Sequence, residues 1–184
     1  MLWTEGHLPP GETIHFQTRS GLLTASGSPD AITLDFPKAD LVTCDEPEGM
    51  LAALGIPEKP LYIGKSFDYL VHVSSESVVR ELNPDFNTLG KFKTRGVVVT
   101  APSESGDYDF ISRFFAPAAG INEDPVTGSA HCILAPYWSP LLGKNSMRAF
   151  QASARGGEIL VELRGERVSL SGKAVTTLRG ELLV

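Results

Sequence analysis

The chain has 184 residues, and its 16 Lys and Arg against 22 Asp and Glu leave a formal charge of −6 with the histidines neutral. At 42% hydrophobic and 21% charged it has the composition of a globular protein that fills a core, and the acidic balance excludes a broad basic surface for nucleic acid. No apolar run approaches the roughly 20 residues that span a bilayer, the first ten residues lack a signal-peptide pattern, and Cys44 and Cys132 lie too far apart for a CxxC, so a reducing, cytoplasmic setting without membrane contact is expected.

The chain opens in β structure. Thr13 to Thr18 alternates apolar Ile14 and Phe16 with polar neighbours, Leu22 to Ser26 is a second short strand, and Ile32, Leu34 and Phe36 alternate with Thr33 and Asp35. Turns at Ser20–Gly21 and Gly27–Asp30 close this meander. Asp45 or a neighbour caps a short helix through Glu48 to Leu54, which Gly55 and Pro57 end. Strands follow at Leu61 to Gly64 and Tyr69 to Val73. Ser74 or Ser75 then offers an N-cap for a helix through Val78, Val79 and Leu82, stopped before Pro84. Asn83 to Lys93 reads as a polar loop, Val97 to Thr100 as a buried strand, and Tyr108 to Phe115 as a strand with Phe110 and Phe114 on one face.

One long helix follows. Ala130, Ile133, Leu134, Tyr137, Trp138, Leu141 and Leu142 fall at helical spacing and form a continuous apolar stripe. Pro136 removes the hydrogen bond to the Cys132 carbonyl and is expected to kink or shorten the helix, and Pro140 to end it. Beyond it, Met147 to Ala152 and Glu158 to Leu163 are strands. A two-residue Arg164–Gly165 link makes a hairpin with Glu166 to Ser171, and Lys173 to Leu178 is a last strand. The pattern is α+β: a mixed, mostly antiparallel sheet curled around a central helix.

The entrance to that helix carries the chemistry. Ala118 to Asn122 leads into Glu123 and Asp124, a proline bend at Pro125, and then Thr127, Gly128 and Ser129. A helix start presents free N–H groups and the positive end of the macrodipole, so Thr127, Gly128 and Ser129 are placed to hold a small anion with Asp124 beside it. The alternative is simple capping, with Asp124 as N-cap ahead of Pro125 or Thr127 as N-cap of a later start. Arg113 is expected to pair with Glu123 or Asp124, His131 to turn away from Ser129, and Cys132 to fill core space. His7, His15 and His72 lie apart with no ligand spacing, so no metal is expected, and no glycine-rich nucleotide loop occurs.

The run from Ser112 to Pro117, followed by Glu123-Asp-Pro-Val-Thr-Gly-Ser-Ala130, resembles the signature of the PhzF (phenazine biosynthesis-like) proteins, which share a fold with diaminopimelate epimerase. Ala149 to Ser153 with Arg155-Gly-Gly-Glu158 resembles that family's next block, and the likeness extends from about Thr13 to Val184. It implies a cofactor-free isomerase with two facing lobes, each a sheet around a helix whose N-terminus meets the cleft. On that pattern Asp124 and Ser129 are catalytic, and Thr127, Gly128 and Ser129 bind the substrate's carboxylate.

The family's proton-shuttling glutamate and its Gly-His-Ala-Thr segment are not found in this sequence, and nothing places Glu5 or Glu12 opposite Asp124. Residues 1–40 and 173–184 therefore read as remnant strands of a first lobe, and 41–172 as a second lobe with the central helix. Two functions follow as expectations. One is proton transfer on a small carboxylate-bearing metabolite, completed by a missing N-terminal half. The other is a non-catalytic binding or interaction protein, associating as a homodimer or with a partner chain through the uncovered strand faces of Ile14/Phe16 and Ile32/Leu34/Phe36.

Overall fold

A computed structural model describes residues 2–3, 5–9, 11–19, 21–27 and 31–180. The expected turns at Ser20–Gly21 and Gly27–Asp30 fall partly on residues 20 and 28–30, outside the described residues, as does 181–184 at the end of the family likeness. The strands are β1 (Ile14–Thr18), β2 (Gly21–Gly27), β3 (Ile32–Pro37), β4 (Val42–Thr43), β5 (Tyr62–Lys65), β6 (Tyr69–His72), β7 (Val97–Pro102), β8 (Phe110–Ala116), β9 (Ile121–Glu123), β10 (Ser146–Gln151), β11 (Gly157–Arg164) and β12 (Arg167–Gly172). They form one sheet in the order β1-β2-β3-β12-β11-β10-β8-β7-β6-β5-β4, with β9 added beside β8. Only β10–β8 and β6–β7 are parallel pairs among the described strands. The helices are α1 (Met50–Leu54), α2 (Glu76–Glu81), α3 (Phe86–Leu89) and α4 (Gly128–Leu142).

The sheet wraps α4 as expected. Ala130, Ile133, Leu134 and Trp138 of α4 pack in one cluster with Leu70, Val98, Phe110, Met147, Val161 and Leu170, drawn from six strands. On the opposite face of β6–β8, Val71, Val97, Val99 and Ile111 pack against Met50, Leu54, Val79 and Leu89 of α1–α3. These central strands are covered on both sides, which is why Val97–Val99 is an unbroken apolar run.

A polar seam crosses the α4 face. The register aligns Tyr62, His72, Thr100, Ser112 and Gln151 in one row across β5, β6, β7, β8 and β10. Above it, Tyr137 Oη meets His72 Nδ1 at 2.8 Å, Trp138 Nε1 donates to Thr100 Oγ1 at 3.1 Å, and Gln151 engages Thr127. These bonds fix the rotation of α4 on the sheet, because a turned helix would strand buried polar groups.

The structure corrects several local expectations. Pro140 does not end α4, which runs 15 residues to a left-handed Gly143 cap with Pro136 and Pro140 both inside. The Cys132 carbonyl that Pro136 deprives of a helical partner accepts from Ala39 N at 3.0 Å instead, so tertiary contact replaces the missing bond. Leu141, expected on the buried stripe, is 58% exposed. Asp45 is not the cap of α1: Gly49 occupies that position, and Glu46 accepts from Leu51 N. The expected loop Asn83–Lys93 contains α3, which Asp85 caps through the N–H groups of Asn87 and Thr88. The hairpin turn is Gly165–Glu166, one residue later than expected, because Arg164 pairs with Arg167 and Gly165 takes the left-handed conformation. Lys173 to Leu178 forms no strand, and Val175 and Leu178 are more than four-fifths exposed, since β12 already pairs with β3 and β11 and no neighbour is left for another strand there.

Candidate functional site

The site is built at the start of α4 by four chain segments. Asp124 follows β9, and its N–H donates to Phe114 O at 3.0 Å, so the acidic loop hangs from β8. Arg113 braces the same loop: its Nε and Nη2 reach the two Glu123 carboxylate oxygens at 2.7 and 3.0 Å, and its Nη1 reaches Leu82 O at 2.7 Å. The structural ion pair expected for Arg113 is therefore present, and this residue does not face the head of α4.

Of the two capping alternatives, the later start is the observed one. Thr127 occupies the N-cap position, and no side chain caps the first turn. The Thr127 hydroxyl donates to Asp124 Oδ2 at 2.6 Å instead. Gln151, fully buried on β10, binds this pair from below: Oε1 accepts from Thr127 N at 2.8 Å, and Nε2 donates to Asp124 O at 2.6 Å and to Thr127 Oγ1 at 3.0 Å. Because the Gln151 amide nitrogen only donates, the Thr127 proton points to Asp124, whose Oδ1 remains for another donor. Thr127 is buried, while Asp124, Gly128 and Ser129 are half-buried.

The block after β10 supports the loop from outside. Ser153 Oγ donates to Pro125 O at 2.8 Å. A Cβ at Gly157 would run into the Val126 side chain, and Gly156 sits at φ 70 against the Phe150 ring. Gly157 is thus a packing requirement of the Pro125–Val126 bend, and Gly156 of the Phe150 ring beside it.

Arg95 and Asp68 complete the surroundings of Ser129, and neither was anticipated from sequence. Asp68, in the β5–β6 turn, is fully buried and accepts from Arg95 Nε at 3.0 Å and from Nη2. Arg95 Nη2 also donates to Ser129 Oγ at 2.9 Å. The hydrogen bonds to Asp68 hold the Arg95 guanidinium above its ordinary pKa, and Asp124 adds to that field. The four segments around α4's first turn are separated by 24 to 34 residues at these contacts, which is why no spacing in the sequence exposes them.

The other candidates are structural. His131 is fully buried, stacks obliquely near Phe110 and donates Nδ1–H to Thr127 O at 2.8 Å; burial pushes its pKa down to about 4. Cys132 is buried, as expected, and desolvation raises its thiol to about 11, so it stays protonated. No group of His, Cys, Asp and Glu suited to a metal occurs among the described residues. A cleft of about 670 Å³ lies at the other end of α4, lined by Tyr62, His72, Tyr137 and Leu141, and no residue of the Asp124–Ser129 site reaches it.

A family model described as phenazine biosynthesis-like protein matches residues 1–180. An uncharacterized isomerase of Halalkalibacterium halodurans is 50% identical over 189 residues, covering 100% of this chain and 69% of the relative. A crystal structure of a phenazine biosynthesis protein of the PhzF family from Enterococcus faecalis superposes with a TM-score of 0.89 at 34% identity, over 100% of this chain and 69% of that one. A predicted epimerase from Pseudomonas aeruginosa shares the fold, with a TM-score of 0.67 at 17% identity over 97% of this chain and 70% of that one. The chain spans about two thirds of the length of the curated relatives it matches.

Proposed function

Since this chain belongs to the phenazine biosynthesis-like protein family, we propose that it takes part in cofactor-independent proton transfer on a small carboxylate-bearing metabolite. The observation that carries this reading is the wiring at the head of α4. Asp124 is held by Thr127 and Gln151 with one carboxylate oxygen uncommitted, next to a helix start that no side chain caps. The Gly128 and Ser129 amides and the Ser129 hydroxyl receive the carboxylate or developing negative charge, where fixed donors act without reorganisation. Asp124 Oδ1 accepts a hydrogen bond from the substrate and orients the carbon that exchanges its proton.

The opposing acid or base belongs, in this reading, to a first lobe to which residues 1–40 contribute, with 41–172 forming the second lobe. A cytoplasmic location accords with two free thiols, Cys44 and Cys132. The test is incubation of the protein with a cyclohexadiene amino acid in deuterated water. Deuterium incorporation above the buffer rate, lost in Asp124→Ala, is the expected result; no incorporation by a protein with a folded amide spectrum overturns catalysis by this chain.

A second reading, a binding or interaction protein without catalysis, is favoured by the outer end of the sheet. Phe16 is 45% and Leu34 36% exposed on the apolar side of β1–β3, a face suited to homodimer formation.

A further inference from the structure

Arg95 is delivered to the head of α4 by close packing. It precedes Gly96, where a Cβ would strike the Phe114 ring and approach Phe115 O to 3.0 Å, so any side chain there would displace that ring. The guanidinium carbon then lies 5.0 Å from the centre of the Phe67 ring and 5.4 Å from that of Phe114. Asp68, with none of its surface exposed, takes Nε and one Nη2 hydrogen. Two rings and a two-point carboxylate clamp fix the plane of the cation.

Two features separate Arg95 from a simple counter-ion of Asp68. Its side chain is 46% exposed, and Nη1 has no hydrogen-bond partner among the described residues. Nη2 spends its second hydrogen on Ser129 Oγ. A guanidinium only donates, so Ser129 Oγ is the acceptor in that bond and its own hydrogen is left for a further acceptor.

We propose that Arg95, oriented by Asp68, is the anion anchor of the site at the head of α4: Nη1 meets one oxygen of a substrate carboxylate, while the Ser129 hydroxyl donates to the other. This rests on the reading of that helix start as a carboxylate site and adds to it a formal positive charge. An open helix start alone offers partial charge to any small anion or polar carbonyl. A fixed guanidinium adds selectivity for a planar, fully ionised two-oxygen group.

The experiment is a fluorine NMR titration of the 184-residue chain with para-fluorobenzoate, using para-fluorobenzyl alcohol as the uncharged counterpart. Wild-type protein is expected to bind the benzoate saturably and not the alcohol. Arg95→Lys keeps a positive partner for Asp68 but loses the rigid fork, and is expected to weaken benzoate binding about tenfold or more. Arg95→Ala is expected to abolish it, with recovery on adding millimolar guanidinium ion but not sodium ion, a recovery that a purely structural role for Arg95 would not produce. Equal benzoate affinity in wild type and a folded Arg95→Lys overturns the anchor while leaving the carboxylate site intact. No benzoate binding by wild type overturns both.

Discussion

Burial of His131, in the first turn of α4, ties the site to pH. The Thr127 carbonyl only accepts, so Nδ1 carries the hydrogen, and protonating the ring would place a charge where Nε2 is buried without a partner. The folded pKa of about 4 lies below the ordinary 6.5, so unfolded chains bind the extra proton first as pH falls. The stabilisation from the neutral ring is complete above 6.5 and is lost as pH falls to about 4, amounting to about 3 kcal/mol. Urea unfolding across that range is expected to show this slope in wild type and a shallower one in His131→Leu; burial lowers His72 as well, which leaves a residual slope of the same sign. Gln151 gives a second residue-scale prediction. Gln151→Leu removes the partners of Thr127 N and Asp124 O inside the protein, at a cost of about 2 kcal/mol or more in urea unfolding. Gln151→Glu keeps the acceptor for Thr127 N, so hydrogen exchange at that amide is expected to stay slow in Glu and become fast in Leu. Asp124, Thr127, Gly128 and Ser129 were legible in the sequence because they are contiguous. Gln151, Asp68 and Arg95 were not, because a buried polar partner is defined only by what folds onto it.

At the scale of elements, α4 shows how context overrides propensity. An interior proline costs a helix about 3 kcal/mol in isolation. Here the α4 residues flanking Pro136 sit in the main core, and the freed Cys132 carbonyl meets Ala39 N, so the helix continues. Periodicity located the helix but placed Leu141 on the buried stripe; Leu142 of the same last turn packs on the core, while Leu141 borders the open cleft shared with Tyr62 and His72. Similarly, α3 escaped the polar-loop reading because four residues make too short a period, and only Leu89 is buried within it. The contact between the Pro125–Val126 bend and β11 predicts a coupled pair. Gly157→Ala forces a methyl onto the Val126 side chain and is expected to destabilise by about 1–3 kcal/mol. Val126→Ala clears that space, so the double variant is expected to lose less stability than the two single losses summed, as measured by a double-mutant cycle in urea.

The whole sheet carries one further consequence. Cross-strand partners Met147, Val161, Leu170, Leu34, Ala25 and Ile14 form a single apolar row from beneath α4 to the edge strand β1. Met147 and Val161 are at most 1% exposed and Ala25 is 4% exposed, whereas Leu34 is 36% exposed and Ile14 half-buried, so the outer part of the row is apolar and only partly covered. If that face joins two copies, sedimentation at micromolar concentration shows a dimer mass, and Phe16→Lys combined with Leu34→Lys shifts it to monomer with the fold retained. A monomeric wild type at that concentration rules the dimer out.

The sequence by itself determined the α+β class, the central helix, most strands and the Asp124–Ser129 segment, because these depend on periodicity and on contiguous residues. Only the tertiary structure decided which groups surround that segment, how α4 keeps its length past two prolines, and that Lys173 to Leu178 joins no strand. Hydrogen bonds and close packing between distant segments follow from where the sheet brings them, and that placement is a property of the folded chain.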